Sequence, residues 1–98
     1  MPPARPGSIR VTRSFATELA QYGVNVNAIA PTWVNTQMTQ GKDPSYYENI
    51  KKGRPFGRMC EPNELVGAAI FLATEASDFV TGQVIFVDGG WSISKALT

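Results

Sequence analysis

The sequence has no histidine and one cysteine, Cys60, among its 98 residues. A single thiol excludes an internal disulfide framework, and without histidine there is no Cys/His zinc site. A lone thiol also fits a reducing compartment. Charge is sparse and balanced, with nine basic and eight acidic residues and a net charge of +1. No block of like charge forms the basic patch that a nucleic-acid binder carries. No apolar run approaches the roughly 20 residues that span a bilayer. The segment Met1-Pro2-Pro3-Ala4-Arg5-Pro6 lacks the apolar core of a signal peptide. These exclusions lead to the expectation of a soluble, cytoplasmic protein with no nucleic-acid, membrane or metal partner.

What is there is globular: 43% hydrophobic residues against 17% charged, in a length that suits one small domain. Three prolines make residues 1–6 an irregular segment. From Gly7 to Tyr22, Ile9, Thr12, Phe15, Ala16, Leu19 and Ala20 recur at helical steps, and Gly23 supplies a stop. Val24–Ala30 is rich in β-branched residues and ends at Pro31, which reads as a strand. Glycines and prolines break up residues 31–60, with room for a short helix over Ser45–Lys52 capped by Asp43 or Ser45. A second helix is expected over Pro62–Thr74, apolar nearly all round and so covered on most sides. Gln83–Val87 reads as a second, almost wholly apolar strand, closed by the turn Asp88-Gly89-Gly90. Helix, strand, loop, helix, strand contains one βαβ crossover, expected to have parallel strands. Two strands make no stable sheet alone, and the first would leave an apolar edge open. The physical reading is therefore a piece of a larger α/β domain.

Four segments match one family in order and spacing. Val26-Asn27-Ala28-Ile29-Ala30-Pro31 with Val34 and Thr36, Gly57-Arg58-Met59 with Glu61-Pro62-Asn63-Glu64-Leu65, Phe71-Leu72-Ala73, and Thr81-Gly82-Gln83 with Val87-Asp88-Gly89-Gly90 resemble the short-chain dehydrogenases/reductases. The resemblance implies the C-terminal part of a Rossmann-like, doubly wound parallel sheet, occupying residues 7–98 and incomplete on its own. It implies an NAD(P)-dependent oxidoreductase that interconverts a secondary alcohol and a ketone, with small polyols and sugar acids as a substrate branch. The family's tyrosine and lysine belong on the opening helix. Counting back places Met1 and Arg5 there, and neither can take the family role. The glycine-rich turn that meets a pyrophosphate is not found in the 98 residues either. The expectation is a chain without catalytic residues of its own, binding neither NAD nor NADP alone and inactive alone. The alternatives are an interaction or oligomerisation module that pairs with an intact homologue, and a non-functional piece.

By resemblance, Pro31, Val34 and Thr36 lie on the cofactor side at the C-terminal end of a strand; the plain alternative is a strand stop with Thr36 as a cap. Thr32 stands where the family usually has glycine, and its side chain would narrow the approach to the nicotinamide. Residues 37–56 resemble the substrate lid. Met38, Tyr47 and Phe56, with Tyr46 and Ile50, would line a pocket for a small alcohol or ketone or, more plainly, anchor the loop; Lys51 and Lys52 are solvated. Cys60 has no base to activate it and reads as a half-buried thiol. Glu61 and Glu64 complement a helix dipole, and Asp88 serves a turn. In the family the last helix and strand meet another subunit, which makes Phe86 and Trp91 interface candidates against ordinary core packing.

Overall fold

The computed structural model describes residues 6–52 and 55–90. The opening helix α1 runs Pro6–Leu19 and tightens into a 3-10 turn at Ala20–Tyr22. Gly23 ends it in the left-handed region at φ 72°, donating its N–H to the Ala20 carbonyl. Strand β1 covers Ala28–Pro31, helix α2 Pro44–Lys52, helix α3 Asn63–Ala73 and strand β2 Val84–Val87. The strands pair in parallel, with Ala28 opposite Val84 and Pro31 opposite Val87. The expected order of elements and the parallel pairing are both present.

β1 begins four residues later than the sequence pattern suggests, because side chains replace the ladder over Val24–Asn27. Asn25 Nδ2 donates to the Ser77 and Asp78 carbonyls at 3.2 and 3.0 Å. Asn27 Nδ2 donates to Val80 O at 2.9 Å, while Asn27 Oδ1 accepts from Gln83 N–H at 3.0 Å. Val26 N–H donates to Thr81 Oγ1 at 3.0 Å. The two strands are thus aligned by a polar clamp before their backbones meet at Ala28 N–H to Gln83 O, 2.9 Å. That bond also explains why β1 runs through Pro31. N–H groups alternate sides, so the position of Pro31 faces away from β2 and its missing donor costs the ladder nothing.

The apolar interior is thin. Among the described residues only Ala16, Ala30 and Ile50 are buried hydrophobics. On α1 the buried face is Thr12 and Ala16 with Ile9 and Leu19 beside them, whereas Phe15 and Ala20 turn outward. Ala16 sits 3.4 Å from where a Cβ on Gly82 would stand, so that glycine admits the helix. The expectation that α3 is covered on most sides is corrected: Val66 and Ile70 are 50% and 57% exposed and no α3 residue is buried. Its apolar ring was read correctly from the sequence, but the two described strands offer too little surface to cover it.

Candidate functional site at the strand ends

Both strands point their C-terminal ends at the same region, which is where open α/β sheets bind ligands. β1 leaves through Pro31, half-buried, then Thr32, buried, and Trp33 at φ 24°. Trp33 is the one non-glycine residue with positive φ among the described residues. Such a backbone costs about 1–2 kcal/mol. The cost is held by two bonds to the next segment, Cys60 N–H to Trp33 O at 3.0 Å and Asn35 N–H to Cys60 O at 2.7 Å. They form a parallel bridge between Val34 and Cys60. In that pattern the neighbours of Val34 make the bonds, so the Val34 N–H is directed to the opposite side. Thr36, exposed, is the N-cap of a 3-10 turn over Gln37–Thr39. Thr39 Oγ1 accepts from Thr36 N–H at 2.9 Å and lies 3.2 Å from Val34 O.

The lid-like segment is fastened at several points. Tyr47 donates its hydroxyl proton to Thr39 O at 2.9 Å and accepts from Lys42 N–H at 3.2 Å. Tyr46 meets Tyr47 edge-on with ring centroids 5.4 Å apart, and Ile50 is buried. Phe56 N–H donates to Gly89 O at 3.2 Å, tying the end of the segment to the turn after β2. Of the three residues expected to line a substrate pocket, Phe56 borders a cleft at the strand ends with Thr32 and Asp88. Tyr47 borders a separate hollow with Lys51 and Met59. Met38 is 86% exposed and borders neither. Met1, Arg5 and Trp91 lie outside the described residues. The spacing Tyr-x-x-x-Lys does occur once, at Tyr47 and Lys51, which the sequence reading passed over. It lies on α2 and not on the opening helix, and the Tyr47 proton is engaged by a main-chain carbonyl. Tyr47 fixes the loop, and Lys51 is exposed.

The charged centre of the site is Arg58 with Glu64, which the sequence did not reveal as a pair. Two parallel bonds of 2.7 and 2.9 Å join guanidinium and carboxylate, and Glu64 Oε1 also accepts Glu61 N–H at 2.9 Å. Glu64 thereby caps the start of α3, a more specific task than complementing its dipole. The Arg58 and Glu61 bonds hold the Glu64 carboxyl at about 2, below its ordinary 4.5. A carboxyl depressed by folding contributes fully above its ordinary range, and the contribution disappears as pH falls through the folded value. Glu64→Gln is therefore expected to lower the melting temperature at neutral pH, with the gap to the wild type closing between the ordinary value of 4.5 and about 2. Circular dichroism melts across that window check it. The Cys60 thiol is pushed up, first by burial and then by Glu64.

The model described as enoyl-(acyl carrier protein) reductase, a short-chain dehydrogenase model, matches residues 1–92. The chain belongs to the short-chain dehydrogenase/reductase family. It is 40% identical over 94 residues to the 5-keto-D-gluconate 5-reductase of Escherichia coli, covering 93% of this chain and 37% of the relative. It is 45% identical over 83 residues to the 2-dehydro-3-deoxy-D-gluconate 5-dehydrogenase of Bacillus subtilis, covering 83% and 33%. A solved 4-hydroxyisoleucine dehydrogenase complexed with NADH superposes with a TM-score of 0.83 at 25% identity, over 89% of this chain and 37% of that one. The chain spans about a third of the length of the family members it matches. The two strands and three α-helices among the described residues are part of the Rossmann-type α/β fold that these dehydrogenases share.

Proposed function

We propose that this chain supplies the nicotinamide-side strand ends and the lid of an NAD(P)-dependent oxidoreductase acting on a secondary alcohol or ketone, with sugar acids as its substrate class. The observation that carries the reading is the loop after β1, where strain at Trp33 and the Val34–Cys60 bridge direct the Val34 N–H away from the packed segment. Pro31, Val34 and Thr36 suit the carboxamide side of a nicotinamide: an apolar ring, a main-chain donor and an exposed hydroxyl at the carboxyl end of a strand. The cofactor, when bound, carries the hydride. Val34 orients it, Thr36 offers it a hydroxyl, and the lid anchored by Tyr47 and Phe56 limits water above it. The keto-gluconate and deoxy-gluconate names of two relatives support the substrate class.

The 98 residues alone are proposed to give no turnover, since Met1 and Arg5 stand in the family's tyrosine and lysine places and no glycine-rich turn meets a pyrophosphate. The nicotinamide half of the cofactor should therefore bind weakly, and the adenosine half not at all. In amide NMR spectra, nicotinamide mononucleotide is expected to shift Val34, Asn35 and Thr36, while adenosine monophosphate leaves them in place. Equal effects from both nucleotides, none from either, or oxidation of gluconate by the chain would overturn this reading.

A second reading, association with another copy or an intact homologue through the last helix and strand, is favoured by Val66 and Ile70 on α3 and Phe86 on β2, all exposed. A soluble chain seldom leaves such residues uncovered together. Ile70→Glu is expected to shift sedimentation towards monomer by placing a charge in the contact. An unchanged sedimentation coefficient would remove α3 from it.

A further inference from the structure

The loop after β1 is held to the segment that leads into α3 by a side chain as well as by main chain. Asn35, half-buried between Val34 and Thr36, donates from Nδ2 to both carboxylate oxygens of Glu61, at 3.1 Å to Oε1 and 3.4 Å to Oε2. Its own N–H donates to Cys60 O at 2.7 Å. Asn35 is therefore tied to two consecutive residues, Cys60 by backbone and Glu61 by side chain.

Glu61 is a firm base for this bond. Its N–H donates to Glu64 Oε1 at 2.9 Å, and its carbonyl accepts Glu64 N–H at 2.8 Å. Glu64 is gripped in turn by the Arg58 fork. The start of α3 thus fixes the main chain of Glu61, and the carboxylate reaches across to Asn35.

The peptide planes show what this tether serves. Trp33 O and Val34 N–H belong to one planar peptide and point opposite ways. Cys60 N–H holds Trp33 O at 3.0 Å, so the direction of the Val34 N–H depends on how the loop sits against Cys60. Trp33, at φ 24°, strains against that seat. A hydrogen bond to a charged acceptor contributes more than a neutral one, and this one lies one residue from the strained contact on each segment.

We infer that Glu61 is a positioning residue: through Asn35, its carboxylate holds Val34 and Thr36 in the orientation that meets a nicotinamide. The inference rests on the oxidoreductase reading and names a residue that acts on its site through another.

The experiment titrates nicotinamide mononucleotide into the 98-residue chain and its variants. The Kd is read from the Val34 and Thr36 amide shifts. Glu61→Ala should weaken binding about fivefold, the worth of one surface bond to a charged group. Glu61→Gln keeps an acceptor for Asn35 and should restore binding to within about twofold of the wild type. Asn35→Ala should match Glu61→Ala, and the double variant should lose no more than either alone. Asn25→Ala removes two bonds at the opposite end of β1 and should leave the Kd unchanged.

Wild-type affinity in Glu61→Ala overturns the inference, as do failure of Glu61→Gln to rescue and additive losses in the double variant. Equal weakening in Asn25→Ala overturns it too, by making general stability the cause. All of these outcomes leave the oxidoreductase reading standing, because the wild type still binds. A wild type whose Val34 and Thr36 amides ignore nicotinamide mononucleotide ends that reading and the positioning role together.

Discussion

A chain carrying Gly90→Ala is expected to lose about 2–4 kcal/mol of stability and to melt more than about 10 °C lower than the wild type. Two effects add at this position. Gly90 has φ 86°, a conformation that costs a residue with a side chain about 1–2 kcal/mol. An added Cβ would also stand 2.9 Å from Pro55 Cγ and 3.3 Å from both Pro55 Cβ and Cδ, a ring that cannot fold aside. Gly89→Ala meets Phe56 Cβ at 3.0 Å and should cost slightly less. Gly23→Ala separates the two effects. It has a similar φ of 72° and nothing within 4 Å of the added carbon, so it reports backbone strain alone. Circular dichroism melts of the three variants should rank Gly90, Gly89, Gly23 from largest loss to smallest. Equal losses at Gly23 and Gly90 would show that the Pro55–Phe56 contact on this turn does not matter.

Asn27→Ala should be nearly as damaging, at about 1–3 kcal/mol, because one side chain serves both strands. Its amide nitrogen binds Val80 O and its oxygen receives Gln83 N–H, across 53 and 56 residues of chain. Truncation frees the residue that fixes the register in which Ala28 meets Val84. Asn27→Asp keeps the acceptor for Gln83 and turns a carboxylate towards the Val80 carbonyl, so it should not rescue. Asn25→Ala removes two bonds at a more exposed place and should cost about 1 kcal/mol or less. Denaturant melts give the energies. Hydrogen exchange at Ala28 and Ala30 gives the register effect, with faster exchange expected in Asn27→Ala than in Asn25→Ala.

Much of the architecture was legible in the sequence because it follows from short-range chemistry. Gly23 after an amphipathic stretch gave the end of α1, and two apolar runs separated by a helical pattern gave a parallel pair. The start of β1 was not legible. Val24–Asn27 has strand-like composition, and only contacts more than 50 residues away turn its asparagines into a clamp. The cover of α3 was misjudged for a related reason: periodicity reports which side chains prefer burial, not whether a neighbour exists to bury them. At the site, Pro31 closes β1, and Val34 and Thr36 follow it on the next loop. The Arg58–Glu64 fork and the capping by Glu64 came from a turn that brings residues six apart into contact, a spacing with no regular periodicity to announce it. The spacing of Tyr47 and Lys51 is plain in the sequence, but only the fold shows that it lies on α2 with the tyrosine hydroxyl bonded to the main chain.

The far end of the segment over the strand ends rests on the exit of β2, through Phe56 N–H to Gly89 O and Pro55 against Gly90. Its near end rests on Thr39 and the Val34–Cys60 bridge. Both ends are thereby held, and Tyr47 and the buried Ile50 hold the middle. Anyone transplanting this span from one dehydrogenase into another to change what it accepts would be moving half of a fitted joint. The two glycines that follow β2 must travel with it, or the graft arrives with nothing shaped to receive its heel.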